Sequence, residues 1–282
     1  MPGETLDDAL AAAKALEDCS VATVFTLLGE NITEPAEATG VTEHYLGALE
    51  RIRERGLGTE LSVKLTQLGL DLGKELCLRN LRRIIEQAGE QSVVWIDMEA
   101  SDYVDVTLEI FRQAWQEHRN VGICLQAYLR RTEQDLASLL PLGPAIRLVK
   151  GAYLEPPDRA FPKKKQVDEN YFRLSELMLS EQARTAGVRT AFATHDLQLI
   201  RRIVGYATTQ AIRKESYEFQ MLYGIQRPEQ YRLAREGWKS VVLIAYGAYW
   251  FPWYMRRLAE RPANAWFVVR NLLANGQGSR LC

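Results

Sequence analysis

The sequence predicts an α/β protein folded as a (βα)8-type, TIM-like barrel, and three observations lead there. From about residue 59, short β-branched or apolar runs alternate with longer amphipathic stretches, the pattern of repeated βα units. The 282 residues suit one large domain, since α/β barrels commonly run to about 250 residues. Finally, Lys64, Asp97, Gln126, Arg147, Lys150 and His195 all lie inside or just after runs that should be buried strands, and charged groups are rarely buried without partners. An open doubly wound sheet satisfies the alternation equally well. A barrel, however, brings the ends of all its strands to one mouth, where the active sites of that fold lie. Six polar side chains at equivalent places therefore favour a shared cavity.

Residues 5–28 are rich in Ala and Leu with charges at helical spacing and read as one helix; residues 42–55 read as another. On this reading 1–58 is a helical N-terminal segment and 59–282 the barrel, within a single domain spanning 1–282. Strands are expected at 61–65, 93–98, 121–126, 146–150, 190–194, 217–222 and 241–245. The intervals leave room for a loop, a helix and a return loop, as crossovers between parallel neighbours require. An eighth strand is expected at 266–269, a run that suits the C-terminal helix equally well. The loop 154–162, with three prolines, and the following Lys163-Lys164-Lys165 read as a solvated connection long enough to move over the mouth.

Composition removes several function classes. Apolar residues make up 47% and charged residues 25%, the balance of a globular chain with a sizeable core. With 35 basic and 36 acidic side chains there is no global field to recruit a polyanion, so no nucleic-acid partner is expected. Cys19, Cys77, Cys124 and Cys282 are scattered without C-x-x-C spacing and read as reduced thiols of an intracellular protein. The three histidines, His44, His118 and His195, form no H-x-x-x-H pair, so no metal is expected. No run approaches about 18 uninterrupted apolar residues, and the N-terminus is unlike a signal or transit peptide, which predicts a cytoplasmic protein.

Three segments carry chemistry. Ile146-Arg147-Leu148-Val149-Lys150-Gly151-Ala152-Tyr153 is a strand with cationic residues that ends in glycine. Arg and Lys there offer fixed donors to an anion or an electron-rich ring, and glycine lets backbone approach a ligand closely; the same cations could instead pair with carboxylates for stability. Phe192-Ala193-Thr194-His195-Asp196 ends an apolar run in a hydroxyl, an imidazole and a carboxylate. A Ser/His/Asp hydrolase is excluded because no G-x-S-x-G elbow exists, and His195 reads as a ligand contact. Arg256-Arg257, in a helical stretch 253–260, can grip one small anion only if the helix end sits above the site. Neither a Rossmann glycine fingerprint nor a P-loop is present, so any nucleotide must be bound in another way.

Taken in order, Ser62-Val63-Lys64-Leu65, Ile96-Asp97-Met98-Glu99, Leu125-Gln126-Ala127-Tyr128, Arg147 to Tyr153, Ala193-Thr194-His195, Tyr217-Glu218-Phe219-Gln220 and Arg256-Arg257-x-x-Glu260 resemble the proline dehydrogenase family, including the proline dehydrogenase domain of proline utilization A. The resemblance runs from about residue 60 to the C-terminus. It implies a distorted (βα)8 barrel that holds FAD without a Rossmann fold, with extra N-terminal helices and a last helix lying over the barrel mouth. It implies oxidation of L-proline to Δ1-pyrroline-5-carboxylate with hydride transfer to FAD, the first step of proline catabolism. Arg256 and Arg257 would bind the substrate carboxylate, each charge-assisted hydrogen bond contributing roughly 1.5–3 kcal/mol. Lys64 would help neutralise that carboxylate, Asp97 would orient the basic groups, and Tyr153 and Leu222 would line the cavity. Arg147 would stand beside the reactive edge of the flavin. Met98, Gln126, Val149, Lys150, Gly151, Ala152, Thr194, His195 and Glu260 would complete the cofactor site.

The family pattern has tyrosines where this chain has Leu243 and Trp253, which bears on proline against hydroxyproline preference. With no recognisable second catalytic domain, a monofunctional enzyme is expected, passing electrons to a quinone-type acceptor through peripheral contact at the inner face of the membrane. Two other readings stay open: a Schiff-base barrel using Lys150 as nucleophile, and a non-catalytic binding barrel.

Overall fold

The structure, a computed structural model, describes residues 1–29 and 32–250. Eight parallel strands close into a barrel: β1 (Ala22–Leu27), β2 (Glu60–Val63), β3 (Val94–Ile96), β4 (Val121–Gln126), β5 (Ala145–Val149), β6 (Arg189–Ala193), β7 (Tyr217–Leu222) and β8 (Lys239–Tyr246). Each strand pairs with the next, and β8 returns to β1 from Ala22↔Val241 to Leu27↔Tyr246. Helices α1 (Leu6–Glu17) and α2 (Pro35–Glu54) flank β1; α3 (Lys74–Ala88), α4 (Val104–Glu117), α5 (Thr132–Leu139), α6 (Lys164–Met178), α7 (Glu181–Thr185), α8 (Leu197–Thr209) and α9 (Arg227–Arg235) fill the later crossovers. The predicted α/β barrel is the observed fold, and the seven expected strands match to within one or two residues.

The N-terminal segment departs from expectation. Residues 5–28 are not one helix: α1 stops at Glu17, and the first barrel strand follows at Ala22. Thr5 starts α1 with a capping box, its hydroxyl accepting from the Asp8 N–H while the Asp8 carboxylate accepts from the Thr5 N–H. Ser20, at φ 59°, turns the chain, and the β-branched Val21, Thr23, Val24 and Thr26 suit a pleated strand rather than a helix. A short apolar run fused to an Ala/Leu-rich helix gives no periodicity of its own, which is why it was absorbed. The barrel therefore begins at β1 and not at residue 59. The alternative eighth strand at 266–269 lies outside the described residues, as do Arg256, Arg257, Glu260 and the helix expected over the mouth.

Alternation along the strands sorts two cores. Phe25, Leu61, Val63, Ile123, Leu148, Phe192 and Phe219 point outward and pack with the helices. Val24, Trp95, Ala145, Ala191 and Val241, from five strands, meet inside the barrel. Trp95 fills that interior because its neighbour in register is Gly122, where a Cβ would stand 2.7 Å from the indole ring. Glycine here makes room for the ring.

Below Trp95, at the N-terminal ends of the strands, Arg189 bonds Glu60 (2.5 Å) and Glu218 (3.0 Å), Lys239 bonds Glu218 (2.7 Å), and the Trp95 indole N–H donates to Glu60 (2.7 Å). Of the cysteines, Cys77 and Cys124 are buried free thiols, whereas Cys19 is disulfide-bonded, against the expectation of reduced thiols.

The loop 154–162 is fastened to its neighbours. Arg130 N–H donates to Arg159 O (2.9 Å), Phe161 N–H to Tyr128 O (2.8 Å) and Ser101 N–H to Glu155 (2.7 Å), while Arg159 pairs with Asp102. These bonds join it to the loops that follow β3 and β4.

Candidate active site

The C-terminal mouth is built around Arg147 on β5. Its Nη1 donates to Ser62 Oγ (2.8 Å) and to Asp97 Oδ1 (3.0 Å), and the Ser62 hydroxyl donates to the same Asp97 oxygen (2.8 Å). Arg147 is 2% exposed, yet its Nε and Nη2 are buried with no hydrogen-bond partner among the described residues. A buried guanidinium left with unused donors is costly, and such groups mark a site made for something else to bind. The guanidinium carbon lies 4.6 Å from the Trp95 ring centroid, so the indole forms a floor under the charge.

Lys64 follows Ser62 on the same face and is likewise buried. It lies near Glu99, whose carboxyl is raised by burial and eased back by hydrogen bonds from Thr66 and by the Lys64 charge. The Gln126 carboxamide N–H donates to the Glu99 carbonyl (2.7 Å), which ties β4 to the loop after β3. Met98 is buried beside them. Thus Lys64, Asp97, Met98, Gln126 and Arg147, drawn from four separate motifs, converge on one end of the barrel.

The turn leaving β5 is held by backbone: Ala127 N–H donates to Val149 O (2.8 Å) and Tyr128 N–H to Lys150 O (2.9 Å). Gly151 has φ +111°, and a Cβ there would stand 2.2 Å from the Tyr128 ring. Only glycine meets both constraints. Ala152 and Tyr153 follow, half-buried. Lys150 Nζ bonds Asp168 (2.5 Å) and Asp196 (2.7 Å), in a network that also takes in Lys164. Burial would raise the Asp196 carboxyl, but Lys150 and then Lys164 hold it down to about 2. An adjacent groove of about 440 Å³ is lined by Lys164, Lys165 and Arg202 against Asp168, Glu169 and Asp196, so it offers an anion no net attraction.

At the end of β6, Thr194 Oγ1 accepts from Asp196 N–H (3.1 Å), and His195 Nε2 accepts from Leu222 N–H (2.9 Å). His195 is pushed down to about 4, by burial first and by the Lys150 charge second, so it is neutral near pH 7 and carries its proton on Nδ1. Two predicted residues, His195 and Leu222, are thus in direct contact.

Ser62 and Trp95 escaped the sequence reading. A serine or tryptophan in a strand is unremarkable, and the only available signal was the inward alternation shared by Glu60, Ser62 and Lys64. Among the described residues there is no group of three or more His, Cys, Asp or Glu that could hold a metal ion.

The family model described as proline dehydrogenase matches residues 9–270. Proline dehydrogenase 1 of Bacillus subtilis strain 168 is 41% identical over 272 residues, covering 96% of this chain and 88% of that protein. Proline dehydrogenase of Deinococcus radiodurans is 42% identical over 277 residues with the same coverage. Among solved structures, proline utilization A from Bdellovibrio bacteriovorus, inactivated by N-propargylglycine, superposes with a TM-score of 0.80 at 26% identity, over 96% of this chain and 32% of that one. With the match running from α1 through the whole described barrel, this chain belongs to the proline dehydrogenase family.

Proposed function

We propose that this chain oxidises L-proline to Δ1-pyrroline-5-carboxylate with FAD as the immediate electron acceptor. The observation that carries the reading is Arg147: a buried cation at the barrel mouth, fixed through one nitrogen and presenting two others without partners. The donor set fits a flavin, a flat group that becomes electron-rich when reduced. Met98, Gln126, Val149, Lys150, Gly151, Ala152, Thr194, His195 and Glu260 would hold it, with Gly151 letting the turn after β5 close against the Tyr128 ring. Lys64, Tyr153, Leu222, Arg256 and Arg257 would hold the substrate.

A bound flavin supplies the two-electron oxidant that takes hydride from the ring carbon next to nitrogen. The chain's own residues prepare that step. Arg256, Arg257 and Lys64 orient the carboxylate and neutralise its charge. The same cations, with Arg147, disfavour a further positive charge, so they favour loss of the proton from the substrate ring nitrogen. The nitrogen lone pair can then form the C=N bond as hydride departs. Asp97 and Ser62 anchor Nη1 of Arg147, and its other donors face where negative charge develops.

The acceptor that reoxidises the cofactor is a quinone-type carrier in this reading, reached by peripheral contact at the inner face of the membrane; no helix among the described residues is long and apolar enough to cross one. The Schiff-base alternative is disfavoured because Lys150 Nζ is committed to Asp168 and Asp196 rather than presented as a free amine.

The test is an absorption spectrum of the purified protein, before and after L-proline under anaerobic conditions. A flavin band that bleaches on addition, with formation of a product trapped by o-aminobenzaldehyde, is expected. A colourless protein that does not take up FAD, or a flavin that proline leaves oxidised, would overturn the reading.

A further inference from the structure

We infer that Trp95 is a positioning residue for the reaction, acting on the cofactor only through Arg147; the inference rests on the function proposed above. Three features of the interior support it. The indole is fully buried and lies under the guanidinium, with 4.6 Å from its ring centroid to the Arg147 carbon. It cannot drift, because its N–H is bonded to Glu60 (2.7 Å), which is itself held by Arg189 (2.5 Å), and Arg189 also packs against the ring at 5.2 Å. Its place is reserved by Gly122, where even a methyl group would stand 2.7 Å from the ring.

Arg147 has a single anchored nitrogen, Nη1. One anchor leaves the planar guanidinium free to rotate about that contact, whereas an aromatic face beneath it removes the rotation and sets the direction of Nε and Nη2. The ion pairs at the lower end of the barrel are thereby linked to the upper end through one side chain, from Lys239 and Glu218 through Arg189, Glu60 and Trp95 to Arg147. Trp95 touches neither substrate nor cofactor in this scheme. Its contribution is the orientation of the group that does.

A double-mutant cycle separates this role from packing alone. FAD is titrated into flavin-free protein, and the midpoint potential is then measured on the reconstituted protein. Trp95→Leu removes the aromatic face and is expected to weaken FAD binding about tenfold and to lower the potential, because a less well aimed cation stabilises the reduced ring less. Trp95→Phe keeps the face, loses only the bond to Glu60, and should stay within about threefold of the parent. In an Arg147→Met background Trp95→Leu should change FAD affinity by less than about twofold, since the residue it positions is gone. Equal effects in both backgrounds would overturn the inference, as would a Phe variant as impaired as the Leu variant. Should Trp95→Leu fail to fold, Gly122→Ala displaces the ring without removing it, and the same cycle with that variant decides. The parent protein reports on the underlying reading separately: if it neither binds FAD nor is reduced by proline, that reading fails, whereas an additive cycle in a parent that is reduced defeats only the role of Trp95.

Discussion

Arg189, half-buried at the lower end of the barrel, and Arg147, buried at the upper end, are both cations on inward-facing strand positions, and they are satisfied very differently. All three guanidinium nitrogens of Arg189 are bonded, to Glu60 and Glu218, and those carboxylates are further bonded by Trp95, Lys239 and Gln220. Burial raises the Glu218 carboxyl, yet Arg189 and Lys239 outweigh that and hold it below its ordinary value. Among the described residues Arg147 has only Nη1 bonded. Every guanidinium nitrogen of Arg189 has a carboxylate partner, whereas among the described residues Arg147 Nε and Nη2 have none. Buried charge by itself marks neither structure nor function. What distinguishes them is whether the protein supplies every partner.

The comparison breaks or holds on exchanged consequences. Arg147→Met should lower kcat/KM for proline on the order of 10³-fold while leaving the thermal midpoint nearly unchanged. Arg189→Met should do the reverse: it leaves the buried Glu218 short of its main partner, at a cost of about 3 kcal/mol, or roughly 6–12 °C in Tm, with turnover per bound flavin within about threefold. Steady-state kinetics and scanning calorimetry on the two variants decide it; two variants that lose stability alike, or activity alike, would dissolve the distinction.

Smaller effects sharpen it. Gly151→Ala places a methyl group against the Tyr128 ring at a φ that side chains rarely adopt, so about 1–3 kcal/mol of strain is expected, read as weaker FAD binding together with a lower Tm. The gentlest test is of pH. Folding depresses His195 from its ordinary 6.5 to about 4, so the unfolded chain takes up this proton first as pH falls. Stability should therefore decline from about pH 6.5 to pH 4 and be unaffected by this group below that. His44, also lowered by burial, acts in the same direction. His195→Gln should flatten part of the slope in melts of the flavin-free protein; an unchanged slope would place the proton elsewhere. Asp196 acts in the opposite sense to a raised group: its contribution is present above pH 3.8 and is lost as pH falls through about 2.

The upper end was legible because Lys64, Asp97, Gln126, Arg147 and Lys150 interrupt otherwise apolar runs at places where a strand should continue or end. The lower end was not, although it carries as much charge. Glu60, Arg189 and Lys239 open their strands and Glu218 is second in its own, and a charge at a strand's first residues is indistinguishable in sequence from the loop before it. For the same reason β1 was lost behind α1. Pairing is harder still: nothing in the sequence says that Asp196 and Asp168 would occupy Lys150 or that loop 154–162 would be pinned by Ser101, Asp102 and Arg130. Such partners are set by the closure of the barrel, which brings together residues separated by dozens of positions. Arg256, Arg257 and Glu260 remain proposals from the motif they share with the family.

The most direct test of the account is a crystal structure of the flavin-loaded protein. The account predicts that Nε or Nη2 of Arg147 donates to the bound flavin while Nη1 keeps Asp97 and Ser62. A flavin seated away from Arg147, with both nitrogens bonded instead to protein or solvent, would contradict it.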